Sequence, residues 1–198
     1  MSYFRPLYPF LLGWVLILST ETFSQLGLIN GVGQLLLFSL VVCLPLWRTG
    51  RMSYVDIGWP WGLVLLACIS YVYSDGYWLR SLVVSVVLVL VGLRMGMGAL
   101  NMWRLGLLKK EFPRYQYQRR RFERDGKTNV ALALQVDAVA QGLANASFLA
   151  LPVFIIASND SSEFSVFELV GLAIWLLAFA MESVADLQKG RFLRAMKQ

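Results

Sequence analysis

Long uncharged apolar stretches, separated by short charged segments, constrain the fold of this chain more than any other feature of its sequence. A helix needs about 20 apolar residues to cross a bilayer, and buried helices of soluble proteins are usually shorter. The chain has 198 residues, of which 58% are hydrophobic and only 15% charged, a balance that water-soluble domains of this size seldom reach. The sequence therefore predicts an all-α, multi-pass transmembrane helical bundle that forms a single integral membrane domain over residues 1–198.

Six apolar segments are predicted to be helices. They cover residues 7–28, 30–47, 54–74, 77–105, 130–157 and 166–188. The segments that connect them alternate in charge: the one at 48–51, the loop at 106–129 and the C-terminal tail are basic, and the others are neutral or acidic. Because basic connections remain in the cytoplasm, this alternation predicts a cytoplasmic 106–129 loop and two cytoplasmic termini. The membrane itself would be a bacterial inner membrane or the endoplasmic reticulum.

The residue inventory argues against several kinds of chemistry. The sequence has no histidine, which removes histidine acid–base catalysis and most zinc sites, and no metal is expected. Cys43 and Cys68 lie in apolar segments without CxxC spacing, so they are expected to be buried packing thiols. The net charge of +6 lies mainly between the apolar segments, where it is typical of orientation signals and lipid headgroup contacts. The expected partner is the lipid bilayer, with no nucleic acid.

Polar residues at membrane depth each need a reason, because an ionisable group in hydrocarbon is costly unless it is paired or hydrated. Asp137, Gln141 and Asn145 share one face of their helix, where they either hydrogen-bond between helices or line a polar substrate cavity. Asp56 would cap the start of its helix in the simplest interpretation. Arg94 would form either an interhelical salt bridge or a contact with an anion in a cavity.

The end of the sixth segment carries an unusual pair of carboxylates. Glu182, Asp186 and Lys189 follow an i, i+4, i+7 pattern, and carboxylates at a helix C-terminus oppose the helix dipole. A cationic or hydroxyl-rich partner is therefore expected. Lys189, Arg191 or the basic loop would supply it, unless a ligand does. The loop at 106–129 interleaves basic and aromatic residues, which suits either lipid contacts or a phosphorylated cofactor arriving from the cytoplasm.

Three segments resemble the steroid 5α-reductase superfamily, in particular its poorly characterised multi-pass branch with the steroid 5α-reductase C-terminal-like domain. They read EFPRY, SYVDIGWPWG and MESVADLQKGRF, and together they extend over roughly residues 50 to 195. The resemblance implies an NADPH-dependent reductase. Its substrate would be a sterol-like or other lipid enone, in which a carbon–carbon double bond is conjugated to a carbonyl.

The resemblance also implies roles for individual residues. Asp56 matches an acidic residue that polarises the substrate carbonyl, and the family often places a tyrosine near the position of Arg94 as its partner. No tyrosine occurs there in this sequence, so Tyr54 is the candidate replacement. The residues implied in cofactor binding are Arg94, Arg114, Tyr115, Glu182, Asp186, Lys189 and Arg191.

One departure leaves two functional interpretations open. The Arg-His-Pro-Asn-Tyr stretch that marks the superfamily, and that helps to complete its cofactor site, does not occur within residues 1–198. In the first interpretation, the chain is a reductase or the N-terminal part of one. In the second, it is a non-catalytic membrane scaffold or subunit that retains the reductase-like fold.

Overall fold

The computed structural model describes residues 3–195, and within them it contains helices and no strand. The side chains of residues 189, 190 and 193–195 lie outside the description. The predicted all-α class is confirmed. The α-helices are α1 (Tyr8–Ser19), α2 (Glu21–Phe38), α3 (Leu44–Thr49), α4 (Val55–Tyr73), α5 (Trp78–Arg104), α6 (Pro113–Arg124), α7 (Val130–Ala146), α8 (Ala150–Ala157) and α9 (Val166–Ala195).

Five helical segments within the described residues are long and apolar enough to cross a membrane. They are Glu21–Thr49, Met52–Tyr73, Trp78–Arg104, Val130–Ala157 and Val166–Gln188. The first of them joins α2 to α3 through a π-helical turn at Ser39–Cys43. The apolar helix that precedes it, Arg5–Ser19, is shorter. The multi-pass membrane architecture predicted from composition is thus present in the structure.

The first two predicted helices are divided at a different residue from the one expected. The sequence placed the break between residues 28 and 30, whereas the structure has it at Thr20, which is extended with φ −92° and ψ 114°. Asn30 and Gly31 therefore lie inside α2. Asn30 remains helical because its side-chain amide donates to the Asn145 carbonyl oxygen at 3.2 Å, a tertiary contact that outweighs its local preference for a turn.

The contacts within the chain divide it into two compact units, Met1–Asp160 and Ser161–Gln198. The first unit contains α1 to α8, and the second contains α9, in which Trp175 and Phe179 stack with their ring centroids 5.2 Å apart. The single membrane domain inferred from the sequence stays a prediction.

The basic connections of the first unit meet at one end of the bundle. The Tyr3 hydroxyl lies 3.1 Å from the hydroxyl of Thr128, and the Arg119 guanidinium donates to the Gly50 carbonyl oxygen. The N-terminal segment, the connection after α3 and the segment between α5 and α7 therefore share one end. This grouping is what the charge alternation predicted, and the assignment of this end to the cytoplasm stays a prediction.

The neutral and acidic connections meet at the opposite end of the first unit. The backbone N–H of Tyr77 donates to the Asn159 carbonyl oxygen at 2.9 Å. Glu21, Asp75 and Asp160 line a common cavity of about 380 Å³. Successive long helices of this unit thus run in alternating directions, as the sequence predicted.

Three buried amide side chains join α2, α4 and α7 at the centre of the first unit. Asn30, Gln34 and Asn145 have no exposed surface. The Gln34 amide donates to Asn30 at 3.1 Å and to the Gly62 carbonyl oxygen at 2.8 Å. The Asn145 amide donates to the Trp59 carbonyl oxygen at 3.2 Å. Since unpaired amides in hydrocarbon are costly, these bonds fix the mutual position of the three helices.

Candidate active site

The candidate site lies where the first turns of α4 and α6 meet. Asp56 belongs to the first turn of α4. Arg114 and Tyr115 belong to the first turn of α6, which begins at Pro113 after the extended residue Phe112. Proline at the first helical position is favoured because its missing N–H would have no intrahelical acceptor there. The sequence EFPRY thus starts a helix and places both functional side chains at its beginning.

Asp56, Arg114 and Tyr115 form one cluster. The Tyr115 hydroxyl donates to Oδ1 of Asp56 at 2.7 Å, and Nη2 of Arg114 donates to Oδ2 in a salt bridge. The Arg114 guanidinium also lies over the Tyr115 ring, 5.0 Å from its centroid. The Asp56 side chain is 15% exposed and that of Arg114 is 62% exposed, so the cluster is open on its arginine side. The structure therefore brings together three residues that the sequence singled out in two distant segments.

The cluster forms the charged part of a cavity of about 480 Å³. Gln141 of α7 also lines this cavity, whereas the walls supplied by α5 are apolar. The lining residues are Val55, Asp56, Trp59, Pro60, Met95, Ala99, Met102, Arg114, Tyr115 and Gln141. A ligand with a polar head and an apolar body could place its head at the cluster and its body against the methionines.

The phenol of Tyr115 is held in its neutral form. Burial raises the pKa of Tyr115 above its ordinary value, and the hydrogen bond to Asp56 and the negative charge of Asp56 raise it further. The nearby Arg114 opposes this shift and does not overcome it. Tyr115 is consequently a hydrogen-bond donor at physiological pH.

An alkaline titration tests this environment without reference to any activity. We expect Tyr115 to ionise above the ordinary tyrosine range, which is centred near about pH 10. Because the folded-state pKa is raised, the associated stabilisation is present below the unfolded-state value and is lost as the pH rises through the folded-state value. The measurement is the phenolate absorbance of the wild type minus that of Tyr115→Phe.

The controls for the titration come from the same cluster and the same helix. In Asp56→Asn, Tyr115 should ionise at lower pH than in the wild type, because the negative charge is gone. Tyr117→Phe, which removes a 62% exposed phenol from the same helix, is the matched control for the loss of one tyrosine. Ionisation of Tyr115 within the ordinary tyrosine range would contradict the assignment.

Tyr54, the candidate catalytic partner of Asp56, lies in the short helical turn Met52–Tyr54 that leads into α4, and its catalytic role stays a prediction. It lines a second cavity, of about 650 Å³, whose lining does not include Asp56. Cys68 lines the same cavity and is exposed, and Cys43 is half-buried, so the expectation of two buried thiols is wrong. The phenol that contacts Asp56 is Tyr115, which the sequence had associated with the cofactor. Only the folding of α6 against α4 reveals this pairing.

Glu111 is a structural neighbour of the site that the sequence did not indicate. Its carboxylate accepts hydrogen bonds from the backbone N–H groups of Met52 at 2.7 Å and Ser53 at 3.1 Å, and also from the Ser53 hydroxyl. It thereby caps the helical segment that leads into α4, where orphan N–H groups and the positive end of the helix dipole favour an anion. The Ser53 hydroxyl in turn accepts from the N–H of Phe112 at 3.2 Å. These bonds hold the start of α4 beside the start of α6.

Removing the Glu111 cap should destabilise the first unit. We expect Glu111→Ala to reduce the free energy of unfolding by about 1–2 kcal/mol, since it leaves the first N–H groups of the helix without an acceptor. Thermal unfolding of the purified protein in one detergent measures this. Glu123→Ala, which removes an exposed glutamate from α6, is the matched control and should change little. Equal effects of the two substitutions would show that Glu111 does not act as a cap.

The other predicted site residues of the first unit, Asn145, Asp137 and Arg94, do not line the cavity at Asp56. Asn145 belongs to the buried amide network, which corresponds to the interhelical alternative for its face of α7. Asp137 and Arg94 are half-buried on α7 and α5, and neither lines the cavity at Asp56. Their proposed contacts with substrate and cofactor stay predictions.

Four predicted residues lie on α9, which is longer than expected. Glu182 and Asp186 are exposed and one turn apart, and Arg191 is exposed near the end of the helix. The side chain of Lys189 lies outside the described residues. The predicted apolar segment 166–188 coincides with the apolar span Val166–Gln188, and α9 continues beyond it to Ala195. Glu182 and Asp186 are thus inside the helix and not in its last turn, because a single glycine flanked by basic residues does not end a helix.

Comparison with known protein families places this site in context. Residues 44–198 match the family described as a protein of unknown function, DUF1295. The chain belongs to this family. DUF1295 is related to the steroid 5α-reductase superfamily, in agreement with the resemblance of the three sequence segments. No curated protein and no solved structure matches the chain. The DUF1295 region includes every residue of the Asp56 cluster.

Proposed function

We propose that this DUF1295 protein is a membrane-embedded, NADPH-dependent reductase, or part of one, acting on the conjugated carbon–carbon double bond of a sterol-like or other lipid enone. The observation that carries the proposal is the cluster of Asp56, Arg114 and Tyr115 in a largely apolar cavity of a membrane bundle. A lipid with one carbonyl matches this distribution of polar and apolar surface. The relation of DUF1295 to the steroid 5α-reductase superfamily supports the reaction class.

The cluster suits the stabilisation of negative charge on a carbonyl oxygen. When the β-carbon of an enone accepts a hydride, charge develops on its oxygen, and positioned N–H and O–H donors stabilise it. In this site Tyr115 offers a neutral phenol, and Arg114 offers a guanidinium with five N–H donors, one of which is given to Asp56. Asp56 accepts from both and therefore orients them. In this proposal Asp56 acts as a positioning residue: the remaining N–H groups of Arg114 contact the carbonyl oxygen, and the single O–H of Tyr115 turns from Asp56 to that oxygen when the substrate binds.

The residues at the cluster also fit a phosphorylated cofactor. NADPH, when bound, would supply the hydride. The exposed guanidinium of Arg114 lies at the beginning of α6, a helix with five arginines and one glutamate, and arginine binds phosphate through paired N–H groups. In the first unit, the residues that the resemblance implies for the cofactor are Arg94, Arg114 and Tyr115. The cofactor roles that it implies for Glu182, Asp186, Lys189 and Arg191 stay predictions.

A turnover assay with a matched pair of tyrosine variants tests the proposal. The full chain would be reconstituted in nanodiscs with NADPH and a cholestenone whose ketone is conjugated to its double bond, and NADPH consumption would be followed by absorbance. We expect Tyr115→Phe to lower kcat by about a hundredfold, the usual effect of losing one donor to a developing oxyanion. Tyr117→Phe, which removes an exposed phenol from the same helix, should retain the wild-type rate.

The scaffold alternative gives a different result in the same experiment. A scaffold would neither bind nor consume NADPH, and Tyr115→Phe would change only the unfolding temperature. Absence of NADPH binding by the reconstituted wild type would therefore overturn the proposal that residues 1–198 carry the reductase activity themselves. Direct NADPH binding should be measured beside turnover, so that an unsuitable enone is distinguished from a protein without a cofactor site.

A further inference from the structure

We propose that α6 is a docking surface for the headgroups of anionic phospholipids. The helix is 12 residues long, none of its residues is buried, and its sequence PRYQYQRRRFER holds five arginines against one glutamate. Such a concentration of positive charge on a short helix beside membrane spans complements an anionic lipid surface. This inference goes beyond the proposed reductase function and does not depend on it.

The contacts of α6 place it at the level where the membrane spans end. The Arg119 guanidinium donates to the carbonyl oxygen of Gly50, the residue directly after the Glu21–Thr49 span. Tyr115 and Arg114 bind Asp56, in the first turns of the Met52–Tyr73 span. The helix is thus fastened to the ends of two apolar segments that are long enough to cross the bilayer. The headgroup region begins at this depth.

The two faces of α6 have different environments. Tyr115 and Phe122 pack against the core cluster that contains Val55 and Leu134, so the apolar face of the helix is covered by protein. Arg120, Arg121 and Arg124 are exposed. We refer to these three residues as the arginine face. Because protein packs against the apolar face, the arginine face is the part of α6 that remains to meet lipid headgroups.

Aromatic residues near α6 support its position at the membrane surface. Tyr117 is 62% exposed, and the Arg124 guanidinium lies 5.7 Å from its ring centroid. Trp47, in the last turn before Gly50, is 77% exposed. Exposed tyrosine and tryptophan side chains at the ends of spans are typical of the interface, where an apolar ring and a polar edge are both accommodated. Arg124 of the arginine face therefore lies beside an exposed aromatic ring of the kind found at membrane interfaces.

Lipid binding at this surface would reach the Asp56 cluster directly. Arg114 and Tyr115 are in the first turn of the same helix that carries the arginine face. Headgroups that hold α6 against the bundle would also hold these two side chains against Asp56. The lipid composition of the membrane would thus influence how firmly the cluster is assembled.

Hydrogen exchange of the full chain in nanodiscs tests this inference. We would compare discs of phosphatidylcholine with discs that also contain phosphatidylglycerol, and follow the backbone amides of α6 by mass spectrometry. We expect α6 to exchange at least about tenfold more slowly in the anionic discs, because several arginines gain attraction to the anionic surface. High salt should remove the difference, since screening shortens the range of this attraction.

Charge variants identify the surface that is responsible. The triple variant Arg120→Gln, Arg121→Gln, Arg124→Gln should lose the lipid dependence, whereas the double variant Lys109→Gln, Lys110→Gln should keep most of it. The exchange of α4 and α5 in the same samples reports whether each variant is folded. A folded triple variant that keeps the full lipid dependence would contradict the assignment to the arginine face.

Two results would overturn the inference as a whole. One is equal exchange of α6 in neutral and anionic discs. The other is equal protection of α6 by free pyrophosphate in neutral discs that is lost in the triple variant, which would assign the arginine face to a soluble phosphate ligand. Neither result depends on whether the protein reduces an enone.

Discussion

Replacing Gly62 with alanine should lower the free energy of unfolding by about 2–5 kcal/mol, the largest stability effect that we expect from one methyl group. A Cβ atom at Gly62 would lie 2.2 Å from Nδ2 of Asn145 and 2.6 Å from Oε1 of Gln34. Both amides are fully buried, so they can move only by giving up hydrogen bonds that have no replacement in an apolar interior. Unfolding followed by tryptophan fluorescence in one detergent measures the loss.

Gly98 provides the matched control for this substitution. It lies within α5, and a Cβ atom there would meet nothing within 4 Å. Gly98→Ala should therefore be neutral, or stabilising by about 0.5–1 kcal/mol, because alanine restricts the unfolded chain more than glycine does. If the two substitutions have the same effect, the amide network is not the reason for glycine at position 62.

Removing the carboxylate of Asp56 should have the largest effect on activity. In Asp56→Ala the Tyr115 hydroxyl and the Arg114 guanidinium lose their common acceptor, and the proposed donors to the substrate carbonyl are no longer oriented. We expect kcat for NADPH-dependent enone reduction to fall by about 10²–10³-fold. The loss should appear mainly in kcat, because it affects donors that act on the developing charge. Steady-state kinetics in nanodiscs would separate kcat from KM.

Asp125→Ala is the matched control for the Asp56 variant. Asp125 follows α6 and is 56% exposed, and its nearest contact to Arg121 is 3.9 Å. Exposed pairs of this kind contribute little, so this variant should retain wild-type activity and stability. A loss of stability in Asp56→Ala without any NADPH-dependent activity in the wild type would instead assign the cluster to holding α6 in place, as in a scaffold.

The candidate site shows how far sequence reasoning extended. Asp56, Arg114 and Tyr115 were all named from short motifs, and the structure places them in contact. The partner relationship was nevertheless assigned to Tyr54, which is two residues from Asp56 in sequence and lines another cavity. Nearness in sequence places Tyr54 in the helical turn next to Asp56. It does not indicate which of two distant helices will provide a contact.

The segment between α5 and α7 illustrates a second limit. Its charge marked it as a basic loop, yet residues 113–124 form a helix. Proline at the first helical position and the spacing of Tyr115 and Phe122 were visible signals of this helix. Glu111 carried no comparable signal, because a carboxylate becomes a helix cap only when another part of the chain brings N–H groups to it.

The sequence by itself determined the all-α membrane class, the alternation of connections between two ends of the bundle, and the residue types at the candidate site. Hydrophobic length and charge alternation are local properties, and the bilayer converts them directly into helices and ends. Only the tertiary structure decided that α2 begins after Thr20, that Asn30, Gln34 and Asn145 bind each other, and that Tyr115 contacts Asp56. The amide network and the Tyr115–Asp56 contact depend on hydrogen bonds between residues far apart in sequence, whose pairing is set by how the helices pack.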